Sequence, residues 1–153
     1  MTLPIAVADL TKAYGETRAV DGVSFQVEAG EFFGILGPNG AGKTTTLEII
    51  EGLRRPDSGE VRVFGASPWP RNADQLPRIG VQLQASSFFE RLTAREQIRT
   101  FASLYRIPDR RADEMLATVG LEAKANTRTE QLSGGEMQRL SIACSLVHGP
   151  ELV

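Results

Sequence analysis

A nine-residue loop at positions 37–45 constrains this chain more than any other feature. It reads Gly-Pro-Asn-Gly-Ala-Gly-Lys-Thr-Thr and fits the pattern G-x-x-x-x-G-K-[ST] without a gap. The apolar run at 32–36 predicts a strand buried on both faces, and the apolar spacing at 47–53 predicts a helix that ends near Arg54. Such a loop turns its backbone N–H groups toward the helix N-terminus, where the helix dipole favours an anion. The loop therefore predicts a phosphate site.

The residue types in this loop match that geometry. The glycines allow backbone conformations that other residues avoid, and they leave room for phosphate oxygens. Lys43 is expected to reach the terminal phosphates, and the Thr44 hydroxyl to supply an oxygen ligand for magnesium. We predict that the phosphates are bound by Gly37, Pro38, Asn39, Gly40, Ala41, Gly42, Lys43, Thr44 and Thr45. A glycine-rich turn with a chance lysine is the alternative, which the setting between a strand and a helix disfavours.

A second glycine-containing loop opens a later helix. Residues 132–138 read Leu-Ser-Gly-Gly-Glu-Met-Gln, and apolar residues follow at helical spacing as far as Val147. Ser133 is suited to cap this helix, which again implies an anion site. Considered alone, the loop is equally compatible with an ordinary serine-capped helix after a glycine turn.

In this order the two loops resemble those of the ATP-binding-cassette ATPases, whose signature motif the second loop matches. The resemblance implies ATP and Mg²⁺ as cofactors. It implies nucleotide contacts from four residues of the signature loop: Ser133, Gly134, Gly135 and Glu136. Tyr14 resembles the aromatic residue of this family that stacks on the adenine ring, and an ordinary tyrosine at a strand end is the alternative.

A glutamine near the middle of the chain resembles the family residue that contacts magnesium and the attacking water. We assign this role to Gln84, because a short loop then leads to Leu92-Thr93 as in the family pattern. Gln82 lies two residues earlier on the same strand face and is the alternative. The resemblance thus implies Lys43 and Gln84 as catalytic residues, and Thr44 and Gln84 as magnesium contacts.

The fold implied by the resemblance is of the α/β class. It combines a P-loop NTPase core with an N-terminal antiparallel β subdomain and an inserted α-helical subdomain. We expect one domain over residues 1–153. Its parts are the β and P-loop core at about 1–84, the helical subdomain at about 85–130 and the signature helix at 131–153.

Local patterns support this layout. Apolar alternation and turn residues predict strands at 5–27, 61–64 and 79–83. Thr93 with Glu96 predicts a capping box at the start of a helix, and Gly120 is expected to close the next one. Phe88 and Phe89 are neighbours on a stretch that is expected to be extended, so at least one of them should be exposed.

Members of this family use one carboxylate to bind magnesium through water and another to polarise the attacking water. Both carboxylates would follow Val153, where the chain stops. We therefore expect the fold to be incomplete at the C-terminus. We also expect the 153-residue chain by itself to be inactive as an ATPase, or nearly so.

Composition and charge limit the classes of partner. A formal net charge of −2 argues against nucleic acid, and the arginine pairs at 54–55 and 110–111 are interpreted as solvated surface. The single cysteine, Cys144, can form no internal disulfide and is expected to fill the core. No run of about 18 apolar residues is present, so membrane association is expected to require a partner. The expected location is cytoplasmic, on the inner face of the cell membrane.

The function implied by the resemblance is that of a transporter ATPase subunit. Two such subunits would join head to tail, each ATP lying between Lys43 of one and Ser133 and Gly135 of the other. Hydrolysis would then drive an integral membrane permease, and the sequences at 80–84 and 101–105 resemble multidrug or antibiotic exporters. The groove for the permease is expected to involve residues 85–91 and the helix from Thr93. The alternatives are a soluble cassette protein that acts on ribosomes or DNA, and a truncated cassette that binds nucleotide without turnover.

Overall fold

The computed structural model describes residues 2–82 and 88–153. These residues form two units, the first ending at Leu76 and the second beginning at Pro77. The expected subdivision near residues 84 and 130 stays a prediction. Within the described ranges, every helix is too short or too polar to span a lipid bilayer.

An antiparallel sheet of three strands forms the first unit's framework. Strands β1 (Ile5–Tyr14), β2 (Thr17–Val27) and β3 (Ser58–Val63) lie in the order β2-β1-β3. Val7 in the central strand lies opposite Phe25 on one side and Val61 on the other. Because alternate residues of a strand share a face, Val7 and Val61 are buried together with Val63. The strand patterns at 5–27 and 61–64 are thus confirmed.

Helix α1 (Lys43–Ile50) follows the glycine-rich loop, as the sequence predicts, but it ends before the expected position. Glu51 is its C-terminal cap, and Gly52 then adopts a φ of +70°. A Cβ atom at position 52 would lie 2.5 Å from the Pro68 carbonyl oxygen. Glycine therefore allows the chain to reverse here, in close contact with the segment after β3.

The buried strand predicted at 32–36 is not formed. These residues have no regular secondary structure, and Phe32 and Leu36 are 101% and 94% exposed. Phe33 stacks on Phe25 of β2, with 5.0 Å between ring centroids. A strand needs hydrogen-bonded neighbours, and among the described residues no strand pairs with this run. The prediction was wrong because an apolar run specifies burial only where partner strands are available.

The described part of the second unit contains three α-helices: α2 (Ala94–Leu104), α3 (Arg110–Thr118) and α4 (Gly134–Leu146), with short 3₁₀ helices at Glu122–Lys124 and Thr129–Gln131. They enclose an apolar core whose largest fully buried apolar side chains are Ile98, Leu116, Leu121, Leu140 and Val147. The capping box at Thr93 and Glu96 is present, and Gly120 closes α3 with a φ of +65°. Cys144 is buried in this core as expected, and burial raises the pKa of its thiol to about 12.

Of the strand predicted at 79–83, the described residues 79–82 form one parallel bridge, between Ile79 and Leu152. The Gly80 N–H donates to the Leu152 carbonyl at 2.8 Å, and residues 81 and 82 have no regular structure. His148, just past α4, contacts the same segment: its Nε2 lies 3.1 Å from the Ile79 carbonyl oxygen. Its ring also stacks on Tyr105, the C-terminal cap of α2, with 4.0 Å between centroids. The end of α4 is thereby joined to the Ile79 segment.

Candidate functional site

The glycine-rich loop is shaped by its contact with β2. Gly42 is the N-cap of α1 and has a φ of +81°, a conformation that L side chains rarely adopt. A Cβ atom at this position would lie 2.0 Å from the Ala19 carbonyl oxygen and 3.2 Å from Val20 Cγ2. Glycine is therefore required here by the packing of the loop on the sheet.

The Lys43 ammonium lies against the loop that precedes it. Its Nζ donates to the carbonyl oxygens of Gly37 and Pro38, both at 2.7 Å. The Ala41 N–H donates to the Pro38 carbonyl at 3.2 Å, which closes the turn that carries these acceptors. The loop thus holds a positive charge close to its own backbone at the start of α1.

The N-terminus of α1 offers donors and an oxygen that suit a polyphosphate with a hard cation. Gly42 supplies no side-chain cap, and the first hydrogen bond of the helix runs from the Thr46 N–H to the Gly42 carbonyl. The N–H groups of the residues between them have no acceptor within the helix. Thr44 is exposed, and its hydroxyl bonds no other residue in the part of the chain that the structure describes. These features fit ATP phosphates and Mg²⁺.

Tyr14 lies at the C-terminal end of β1 and is 43% exposed. Two cations lie near its ring: Lys12 Nζ is 5.7 Å from the ring centroid, and the Arg54 guanidinium carbon is 5.5 Å from it. Lys12 in turn bonds Asp57 at 2.7 Å. Tyr14 is therefore partly exposed, and its ring is flanked by positive charge.

Sequence reasoning misses Arg54, because the arginine pair at 54–55 predicts only solvated surface. Its guanidinium bonds Glu48 of α1, with Nη2 3.4 Å from Oε1 and a second contact from Nε to Oε2. Neighbours on a helix surface are three or four positions apart, whereas Glu48 and Arg54 are six apart. No sequence pattern therefore indicates this pair. Only the reversal of the chain at Gly52 brings Arg54 back to α1 and Tyr14.

The signature loop starts α4 with a complete capping box. Ser133 Oγ accepts from the Glu136 N–H at 3.3 Å, and Glu136 Oε2 accepts from the Ser133 N–H at 2.8 Å. The backbone and side-chain hydrogen bonds from Ser133 lower the pKa of Glu136. Lys124 Nζ lies 3.5 Å from the other oxygen of this carboxylate. Glu136 therefore stabilises the loop itself, a role that the sequence reading had not assigned to it.

Gly134 and Gly135 follow Ser133 at the surface. A Cβ atom at either position would meet no other described atom within 4 Å. Packing inside the described chain therefore gives no reason for glycine at these positions. Gln84 lies outside the described residues, and Gln82, its alternative, is exposed. The nucleotide and magnesium contacts assigned to the two loops stay predictions.

Sequence comparison identifies relatives across the whole chain. The model of the family described as ABC transporter matches residues 20–153. The bacitracin transport ATP-binding protein BcrA of Bacillus licheniformis is 40% identical, over 100% of this chain and 50% of the relative. The linearmycin resistance ATP-binding protein LnrL of Bacillus subtilis is 39% identical, over 95% of this chain and 48% of the relative. The chain spans about half the length of these curated relatives.

Solved structures share the fold. An ATP-binding cassette of an ABC transporter in its ADP conformation matches with a TM-score of 0.83 and 26% identity, over 98% of this chain and 66% of that one. Part of an ABC transporter complex from Clostridium perfringens matches with a TM-score of 0.84 and 26% identity, over 98% of this chain and 63% of that one. These matches confirm the predicted α/β fold class with a P-loop core. With the loops at Lys43 and Ser133 in the family's order, the chain belongs to the ABC transporter ATP-binding family.

Proposed function

We propose that the protein is the ATP-binding subunit of an ABC transporter and couples ATP binding and hydrolysis to substrate movement through a membrane permease. The observation that carries this proposal is the Lys43 ammonium, held by the Gly37 and Pro38 carbonyls at an α1 N-terminus without a side-chain cap. Similar proteins are named for bacitracin transport and linearmycin resistance, which supports an exporter of antibiotics or other drugs.

In the proposed site, the first loop binds the phosphates and Tyr14 stacks on the base. Lys43 and the uncapped N–H groups of α1 neutralise and orient the terminal phosphates, which supplies most of what phosphoryl transfer requires of a protein. Thr44 and Gln84 would hold magnesium, and Gln84 would also orient the attacking water. Magnesium, when bound, would supply positive charge that offsets the negative charge of the phosphates.

The signature loop acts in trans in this proposal. Ser133, Gly134, Gly135 and Glu136 complete the nucleotide site of a second subunit, in a head-to-tail dimer with two equivalent sites. The open space around Gly134 and Gly135 supports this assignment, because glycines that packing does not require are suited to close approach by an external phosphate. Nucleic acid is not a partner in this proposal.

In this proposal, the membrane permease docks on the second unit. This contact holds the protein on the cytoplasmic face of the membrane. Phe89 is 61% exposed, whereas Phe88 packs against the core of the three helices. The Phe89 N–H donates to Gln97 of α2, so the exposed ring is held beside the helix that starts after Thr93. An apolar side chain presented in this way suits a helix of the permease.

Replacement of Lys43 tests the nucleotide site. Lys43→Ala deletes the only side-chain cation of the loop and leaves its backbone amides in place. Because charge-assisted hydrogen bonds contribute about 1.5–3 kcal/mol, we expect ATP affinity to fall about tenfold or more in a calorimetric titration. Arg71→Ala removes one positive charge from an exposed position in the same unit and should leave the affinity nearly unchanged. Equal ATP affinity in Lys43→Ala and the parent would refute the proposed site.

A further inference from the structure

We propose that Arg54 is a positioning residue for the nucleotide base, acting through Tyr14. Its guanidinium carbon lies 5.5 Å from the Tyr14 ring centroid, within the range of about 6 Å over which a cation is attracted to an aromatic face. Arg54 holds the ring at the end of β1 in the orientation in which the base stacks. The inference rests on the proposed ATP binding and adds a residue to it.

Arg54 is itself anchored, which distinguishes it from a mobile surface cation. Both the Nε and the Nη2 groups donate to the Glu48 carboxylate, so the pair has the forked geometry that fixes a guanidinium plane. The backbone N–H of Arg54 also donates to the Glu48 carbonyl at 3.1 Å. Side chain and main chain thus bind one residue of α1.

Glu48 belongs to the helix that begins with Lys43. The contacts from Glu48 to Arg54, and from Arg54 to Tyr14, therefore join the phosphate-binding helix to the proposed base-binding ring. A second cation, Lys12 of β1, is held near the same ring by Asp57. The Asp57 carboxylate also accepts a hydrogen bond from the Ala13 N–H at 2.7 Å. An aromatic ring restrained before binding loses less entropy when a base stacks on it.

The test compares a ligand that carries adenosine with one that consists of the phosphates alone. The full chain is titrated with ATP and with inorganic tripolyphosphate, which presents phosphates without a base. Arg54→Ala should weaken ATP binding about two- to fivefold, the size of an exposed cation–aromatic contact, and leave tripolyphosphate binding unchanged. Glu48→Gln releases the guanidinium without deleting it and should weaken ATP binding in the same direction. Arg54→Lys should restore part of the loss.

Two controls isolate the contact with Tyr14. Arg55→Ala removes the same charge from the neighbouring position and should leave ATP affinity unchanged. In a Tyr14→Ala background, Arg54→Ala should have no further effect on ATP affinity, because the effects of substitutions at interacting residues do not add. Thermal unfolding of each variant verifies that the first unit stays folded.

The inference is overturned by any of three results. The first is that Arg54→Ala weakens ATP binding by the same factor with and without Tyr14. The second is that Arg54→Ala weakens tripolyphosphate binding as much as it weakens ATP binding. The third is that Arg55→Ala weakens ATP binding as much as Arg54→Ala does. Failure of the proposed function has a different signature, since Lys43→Ala would then leave the binding of both ligands unchanged. A chain that needs Lys43 but shows additive effects of Tyr14 and Arg54 refutes only the positioning role.

Discussion

Gly42 and the Ala19 carbonyl are so close that a Cβ atom at position 42 would lie 2.0 Å from the carbonyl oxygen. We predict that Gly42→Ala destabilises the first unit and displaces the start of α1. The left-handed backbone costs an alanine about 1–2 kcal/mol, and the collision adds about 1–3 kcal/mol of overpacking. The free energy of unfolding in urea measures the sum.

Gly40 offers a matched control for this collision. Its φ of +83° is close to the +81° of Gly42, but a Cβ atom at position 40 would meet no described atom within 4 Å. Gly40→Ala should therefore show the backbone cost alone. If the two variants lose the same stability, the contact between Gly42 and β2 is not what requires glycine there.

The two capping boxes predict a loss of stability in acid. Hydrogen bonds from Thr93 and Ser133 hold the pKa values of Glu96 and Glu136 below the ordinary 4.5. Because the unfolded chain takes up these protons first, the stabilisation is present above about pH 4.5 and is lost as the pH falls through the lowered folded values. The double variant Glu96→Gln, Glu136→Gln should show a shallower fall of melting temperature with decreasing pH.

Part of the acid dependence should remain in that double variant. Hydrogen bonds from Lys12 and Arg78 also lower the pKa values of Asp57 and Glu151. Glu16→Gln is the control: Glu16 lies between β1 and β2 and bonds no other described residue. A pH dependence as shallow in this control as in the double variant would contradict the assignment to the capping boxes.

Thr129 should stabilise the loop that carries Phe89. Its buried hydroxyl donates to the carbonyls of Phe89 and Glu90, at 3.0 and 3.3 Å. Thr129→Val keeps the shape but removes the donor, so we expect a loss of about 1–3 kcal/mol in the free energy of unfolding. Thr129→Ser keeps the donor and should lose less. A larger loss in the serine variant would assign the effect to the methyl group instead.

Phe89 is the position from which a crosslink to the permease should form. We predict that a photoreactive residue at position 89 of the complete, active transporter crosslinks to the membrane subunit, because this ring is exposed. The same residue at position 88, which packs on the helical core, is the matched control and should crosslink within the chain. Absence of an intersubunit crosslink from position 89 in an active complex would contradict the proposed docking site.

The sequence by itself determined the features that depend on near neighbours in the chain. The start of α1 after Gly42, the capping box of Thr93, the N-cap at Ser133 and the end of α3 at Gly120 follow from residue types within one helical turn. The order of the two short loops also indicates the family. Local hydrogen bonding and backbone conformation are enough for such predictions.

Only the tertiary structure decided which distant groups meet. The apolar run at 32–36 predicts a buried strand, but Phe32 and Leu36 are exposed where no described strand pairs with them. Arg54 resembles a surface arginine until the reversal at Gly52 places it against Glu48 and Tyr14. Burial and long-range ion pairs depend on the path of the whole chain, which residue spacing alone does not specify.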